Sequence, residues 1–320
     1  MRIDLFPWFN RAFFAKFIVA ILVLLLSLLI MPFYTHGDQV YYRRAYEQLS
    51  GLSLTKGYLF YSQCLASREY IHFFLSWVAS RFVEKDVFIA FFNAIFAYVA
   101  MSLFQKWKVS VIIAFWLILT NFYFLVLYFS AERLKFGFIF LALSMIYIGQ
   151  VKRFYGFVGL ALISHVQVII VYVSILSNVL VGHISKLFST GQVAKLVLFF
   201  VPFLLFPSLV GNQILTKFQL YHGEHGFADL ARITVFFLLA LWYSREKFEA
   251  FKLFVPLFIA VFLVGGDRVN LISYFVFLYY GVQYRGGWNL GVLATSAYFS
   301  YASIGFLVKI FQHGDGFFHG

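Results

Sequence analysis

Charge is what this chain has least of. Asp, Glu, Lys and Arg make up 12% of 320 residues, where a soluble domain carries roughly 25%. Its polar stretches run to about 30 residues at most, too few to bury an independent core. The sequence has one cysteine, Cys64, which excludes an internal disulfide and a Cys-based metal site. It contains no HExxH, Walker A, GxGxxG or Cys/His zinc spacing, so nucleotide-dependent chemistry within the chain is unsupported. It also shows no internal repeat, low-complexity tract or linker. The expectation is a single integral membrane domain over 1–320, needing no cofactor and holding no metal.

What fills the chain is apolar. Hydrophobic residues make up 62% and aromatic residues 22%. Runs long enough to cross a bilayer recur from end to end, and about 20 residues suffice for one crossing. A β-barrel would show short segments of alternating polarity instead. The fold class is therefore all-α, a polytopic transmembrane bundle of roughly 10–11 membrane segments. Candidate spans are 15–34, 87–104, 109–129, 134–149, 154–180, 194–212, 229–243, 252–265, 268–284 and 288–309. The basic N-terminus runs into a long apolar segment with no small-residue cleavage site after it. It reads as a retained first helix.

The net charge of +12 would suggest nucleic acid on a soluble protein. Here the cations sit in short turns between spans, where cytoplasmic loops prefer them, so no nucleic-acid partner is expected. The basic marks are Arg2/Arg11/Lys16, Lys106/Lys108, Lys152/Arg153, Lys186/Lys195, Arg245/Lys247/Lys252 and Arg285. Counting crossings between them leaves a parity conflict. Two assignments repair it: 70–83 lies at the outer interface or dips in and returns, and 154–180 breaks near Ser164-His165 into two short arms. A non-helical turn at membrane depth is tolerated only where protein buries it or it lines a cavity. The outer face then collects 35–69, 130–133, the His165 turn, 213–228, 265–267 and the C-terminal tail.

The outer face also collects the acids. Of 13, Asp4, Glu84, Asp86, Glu246 and Glu249 read as solvated. Asp38, Glu47, Glu69, Glu132, Glu224, Asp229, Asp267 and Asp315 remain as candidates, because a charge near a span is costly unless paired or solvated. Glu132-Arg133 interrupts two adjoining spans and reads either as a loop ion pair or as a clamp for an anionic group, with Lys135 beside it at the outer mouth. His165 is the only histidine inside a long apolar run. It is either a buried neutral imidazole or, near neutral pH, a general base or phosphate ligand. Gly265-Gly266 ahead of Asp267-Arg268 predicts a tight turn, capped by an ion pair or presenting Arg268 beside Arg133. Three His-Gly-acid triplets, at His36, His222 and His313, could meet at a divalent metal, although chance and ordinary loop chemistry explain them better. Tyr41, Tyr42, Tyr46 and Tyr58 fall in a polar outer loop, as interfacial anchors or as faces for sugars. Arg43-Arg44 runs against the inside-positive bias, which a phosphate or acidic-sugar contact would explain.

The order of these features carries a resemblance. Gly37-Asp38 with Tyr42 and Tyr46 follows the first span, and Glu69-Tyr70 opens a short apolar segment. Arg133 begins a span, and Val151-Lys152-Arg153 precedes a span with the central His165. Asp267-Arg268 then comes ahead of Tyr274-Phe275. The chain resembles the EpsG-like group of Wzy-type polysaccharide polymerases over nearly its whole length, through sparse motifs. It departs from the group after Arg133, with Arg-Leu-Lys-Phe-Gly in place of Arg-Gln-x-x-Ala, and lacks the small-apolar run after the histidine.

The resemblance implies a GT-C-like bundle in the bacterial inner membrane with its active face periplasmic. Its substrates would be undecaprenyl pyrophosphate-linked oligosaccharide repeat units, with membrane lipid around it and a flippase and chain-length regulator as partners. Arg133 and Arg268, supported by Lys135, would stabilise the pyrophosphate leaving group. His165 is the first candidate base and Asp38 the second. Tyr42, Tyr46 and Glu69 would orient sugars, with Arg43, Arg44 and Asp267 as further substrate contacts. An O-antigen ligase or other polyprenyl-linked glycosyltransferase is the nearest rival; a lipid-linked oligosaccharide transporter is a rival of another class.

Overall fold

The computed structural model describes residues 11–165, 167–172, 174–175 and 227–318. Every regular element among them is helical. The chain divides into two compact units, Met1–His165 with Arg285–Gly320, and Val166–Tyr284.

In the first unit, α1 (Arg11–Ile30) is apolar on every side. Val19, Val23 and Ile30 are buried while Leu22, Leu25 and Leu29 face outward, a distribution suited to packing on one side and lipid on the other. α1 packs along α5 (Lys85–Lys106), and α5 packs in turn on α8 (Glu132–Ile146). Between α1 and α5 come three short helices, α2 (Asp38–Leu49), α3 (Leu54–Cys64) and α4 (Tyr70–Ala79). At 10 residues α4 is too short to cross a bilayer. The expected span 109–129 is two helices, α6 (Val111–Thr120) and α7 (Phe122–Phe129), bent by 51°. Asn121 causes the break. Its backbone is extended, and its side chain accepts from Tyr123 N–H at 3.0 Å, capping α7.

α9 (Val151–Ser164) packs on α8 and stops where the parity argument requires. His165 is extended (φ −157°, ψ 122°), and residues 168–172 are helical again. The last helix of the chain, Leu290–His313, packs on α6 and α7 and hydrogen-bonds to α6 through Ser300 and Ser303. In the second unit, α10 (Phe227–Tyr243) packs on α11 (Lys247–Val264) and α12 (Gly266–Gly281). Gly265 alone joins α11 to α12 at φ +95°, the tight turn expected there. Leu290–His313 is α13. The expected span 194–212, the loop 213–226 and His222-Gly223-Glu224 lie outside the described residues.

Among the described residues three helices, Phe13–Phe33, Lys85–Lys106 and Tyr284–His313, are long and apolar enough to cross a membrane, and the bent α6–α7 pair makes a fourth if it is one span. The first unit has two distinct ends. At one, Lys106 donates to the Ile146 and Met145 carbonyls and Ser110 N–H donates to Gly286 O, so the basic stretches near 106, 152 and 285 gather there. The other end holds the close of α1, α2–α4, the starts of α5 and α8, His165 and the tail after α13.

The first and third His-Gly-acid triplets meet at this second end. Thr35 and His36 N–H both donate to Gly314 O, at 3.0 and 2.8 Å, and Tyr34 Oη donates to Asp315 at 3.4 Å. Gly37 and Gly314 are both left-handed (φ +62° and +69°). A Cβ on Gly37 would fall 2.8 Å from the Asp315 carboxylate, and one on Gly314 2.5 Å from His36 Nδ1. The repeated glycine is thus a requirement of a backbone clasp between the two segments. Among the described residues no group of three or more His, Cys, Asp or Glu is arranged to hold a metal.

Candidate functional site

The stretch DQVYYRRAYEQL, expected as a polar loop, is an amphipathic helix. Gln39, Tyr42, Ala45, Tyr46 and Leu49 of α2 are buried, at the three- and four-residue spacing of one helix face. Asp38, Tyr41, Arg44 and Glu47 lie on the exposed side. α2 therefore presents two tyrosines and an amide inward, against the starts of α4, α5 and α8.

Glu132 and Arg133 open α8 side by side, and successive residues on a helix point about 100° apart. They take different partners. Glu132 is almost fully buried and accepts from Lys85 Nζ at 2.6 Å and from Gln39 Nε2 at 2.7 Å. Gln39 also accepts from Lys85 at 2.7 Å and donates to Phe129 O at 2.7 Å. Arg133 turns to the other side. Its Nε donates to Tyr42 Oη at 3.1 Å, and its Nη1 lies 3.1 Å from Glu69 Oε2. The second oxygen of Glu69 lies 3.1 Å from His165 Nε2. One carboxylate thus bridges a guanidinium and an imidazole. The side chains of Glu69 and His165 are 7% and 6% exposed, and that of Arg133 16%.

Four sequence candidates, Tyr42, Glu69, Arg133 and His165, therefore meet from four separate segments. Glu69 is set by its place just before α4, and His165 by the end of α9. Burial pushes the Tyr42 phenol up to about 12, against the opposing pull of Arg133, so it stays protonated at neutral pH. Tyr46 is likewise raised to about 12 by burial and donates to Val83 O at 2.9 Å.

Other candidates are placed differently. Lys135 was expected at the outer mouth but is fully buried. Two positions after Arg133, it points to another side of α8 and donates to Asn93 of α5, which itself donates to Ser27 of α1 at 2.9 Å. Arg43 is a brace. It pairs with Asp86 through two nitrogens, at 2.9 and 3.2 Å, and donates to the Met31 and Tyr34 carbonyls. This local bonding explains its break with the charge bias and corrects Asp86 from a solvated acid to a paired one. Asp38 and Arg44 are exposed on α2, away from the buried face. The outer tyrosines part company: Tyr42 and Tyr46 are buried, Tyr41 is exposed, and Tyr58 stacks on Tyr70 with centroids 5.3 Å apart. Asp267 and Arg268 belong to the second unit, in the first turn of α12. Asp267 is exposed and faces Arg232 at 3.5 Å, while Asn270 donates to Asp229 at 3.1 Å.

Sequence reasoning passed over Gln39, Tyr61, His72, Lys85 and Asn93. Tyr61 Oη meets His72 Nδ1 at 2.8 Å, both buried beside Tyr42. Burial and the nearby Arg133, Lys135 and Lys85 cations hold the His72 imidazole well below its usual range, hence neutral. A signal for His72 existed, since it follows Glu69 by three residues and shares its helix face. Asn93 was visible as an amide inside an apolar run. Lys85 sat in a charged triplet, where solvation is the ordinary reading. No protein-family model, curated protein or solved structure matches the chain.

Proposed function

We propose that this chain is a Wzy-type polysaccharide polymerase of the bacterial inner membrane, with 10–11 membrane segments and its active face in the periplasm. The observation that carries the reading is the Glu69 carboxylate bridging Arg133 and His165, with Tyr42 on the same guanidinium. The cluster lies at the end of the first unit opposite the basic turns, which the inside-positive bias assigns to the cytoplasm.

The reaction moves a growing glycan from undecaprenyl pyrophosphate onto the terminal sugar of a lipid-linked repeat unit. The bond between the anomeric carbon and the pyrophosphate oxygen breaks, and a bond from an acceptor hydroxyl oxygen to that carbon forms. The pyrophosphate leaves with the bonding electron pair, and the hydroxyl proton goes to a base. Arg133 suits the leaving group, because a planar guanidinium stabilises developing phosphate charge. His165 suits the proton. Glu69 then has a role beyond orienting sugar: its carboxylate fixes the imidazole and stabilises the imidazolium formed when the proton arrives.

The test is deletion of the gene, complementation, and gel analysis of surface polysaccharide. Deletion should remove the long ladder and leave one repeat unit on its acceptor. Arg133→Ala and His165→Ala should each fail to restore the ladder while the protein still inserts, a loss of at least about 100-fold for a general base. A surviving ladder in the deletion strain refutes the polymerase. Loss of even the single transferred unit assigns the chain to ligation instead.

A further inference from the structure

A narrow cavity walled by α2, α3, α4, α5 and α8 shares Tyr42 with the Glu69–Arg133 cluster. Tyr42, Tyr46, His72, Ser76, Lys85 and Glu132 line it. It has room for a water-sized group. Three of its buried polar atoms, Glu132 Oε2, His72 Nε2 and Ser76 Oγ, have no hydrogen-bond partner among the described residues. Their residues are 1%, 4% and 2% exposed. Buried polar atoms are nearly always partnered, and leaving three unsatisfied at one place costs stability.

The atoms specify what would satisfy them. An ionised carboxylate only accepts, so Glu132 Oε2 requires a donor and repels an anion. Ser76 Oγ can donate or accept. His72 Nδ1 is engaged by Tyr61 Oη, so its Nε2 is left as a single donor or acceptor. Lys85 directs two of its three N–H donors to Gln39 Oε1 and Glu132 Oε1. A small group that donates once and accepts once or twice fits this set. A hydroxyl does so; a phosphate, a carboxylate and a methyl group do not.

We propose that this cavity is a subsite for one hydroxyl group of a sugar, donating to Glu132 Oε2 and bonded by Ser76 and His72. The proposal rests on the polymerase reading for its ligand class and adds to it a specificity element. The anion end of the site is Arg133, and the hydroxyl end is Glu132, with Tyr42 bonded to Arg133 and lining the cavity beside Glu132. Because the cavity admits no ring, the sugar enters it by an exocyclic oxygen. A ligand lacking that hydroxyl leaves the three polar atoms unmatched, which is how buried polar sites discriminate strongly.

The test uses the full chain in phosphatidylethanolamine/phosphatidylglycerol nanodiscs. Methyl glycosides of hexoses, N-acetylhexosamines and 6-deoxyhexoses are the probes, with binding read by saturation-transfer NMR. At least one glycoside should bind, and its monodeoxy analogue at one position should not. Ser76→Ala should weaken binding about three- to tenfold, the worth of one hydrogen bond. Ser76 Oγ makes no hydrogen bond among the described residues, so this variant should unfold at or above the wild-type temperature. Ala45→Val, on the cavity wall, should abolish binding by filling the space. If no glycoside binds, or binding is equal in wild type and both variants, the cavity holds water only and the proposal is overturned. The two readings fail separately. A ladder that needs Arg133 but is indifferent to Ser76→Ala and Ala45→Val keeps the polymerase and removes the subsite. Ser76-dependent glycoside binding by a chain that makes no ladder keeps the subsite and removes the polymerase.

Discussion

Each unit of the molecule carries a small acid–base group at helix starts, and the two differ in exposure. In the first unit, Lys85–Glu132 and Glu69–Arg133–His165 are nearly sealed. In the second, Arg232 reaches toward Asp229 and Asp267 at 3.7 and 3.5 Å, with the Arg232 side chain 54% exposed and that of Asp267 91%. The charge types are alike, but the surroundings are not. An exposed pair gives up little hydration and gains little. A buried pair has already lost its water, so each partner depends on the other. Sequence proximity of acid and base therefore says little about their worth; the solvent around them decides it.

The comparison can be broken most directly at Lys85. Lys85→Met leaves Glu132 buried without its cation and should cost about 3–5 kcal/mol of stability, measured by unfolding in detergent. The double variant Lys85→Met/Glu132→Leu should recover most of that loss, because it removes the stranded charge together with its partner. A double variant as unstable as the single one would mean that packing, not charge, dominates the site.

A second handle is pH. Burial depresses the His72 pKa in the folded chain, so the unfolded chain binds the extra proton. Stability is then complete above the unfolded imidazole value near 6.5 and falls as pH drops below it, by up to about 1.4 kcal/mol per pH unit from this one group. The expected outcome is a midpoint that falls below pH 6.5, and a shallower fall in His72→Phe. Equal slopes in the two proteins would place the pH response elsewhere.

The smallest effect belongs to the second unit. Arg232→Ala should change stability by no more than about 1 kcal/mol, and the difference should shrink as salt is added. A loss of several kcal/mol there would erase the contrast between the two groups.

Much of the site was legible before any fold was known. Helical spacing alone places Gln39, Tyr42 and Tyr46 on one face, although the stretch was read as a loop. The polar break at Ser164-His165 followed from counting crossings, and α9 ends at Ser164. Glu69 and Arg133 stood out as charges at the edges of apolar runs. Other parts were illegible for physical reasons. Lys85 in Glu84-Lys85-Asp86 looks solvated until α2 and α8 close over it. Lys135 looks like a companion of Arg133 in one dimension, yet two residues of helix turn it to a different face. Arg43 looked like a ligand for an outside anion because its partners, Asp86 and two carbonyls, come together only through the α1–α2 corner.

The sequence by itself determined the class of the molecule: helical, apolar enough in places to cross a bilayer, and polar at a few defined breaks. Those properties come from composition and short-range periodicity, which act within one or two turns of helix. Only the tertiary structure decided which charge meets which. A carboxylate's partner is set by what lies within about 4 Å, and at Glu69 those groups come from residues 64 and 96 positions away. The same closure made the twin glycine triplets a clasp and left three unpartnered polar atoms on residues that line one small cavity.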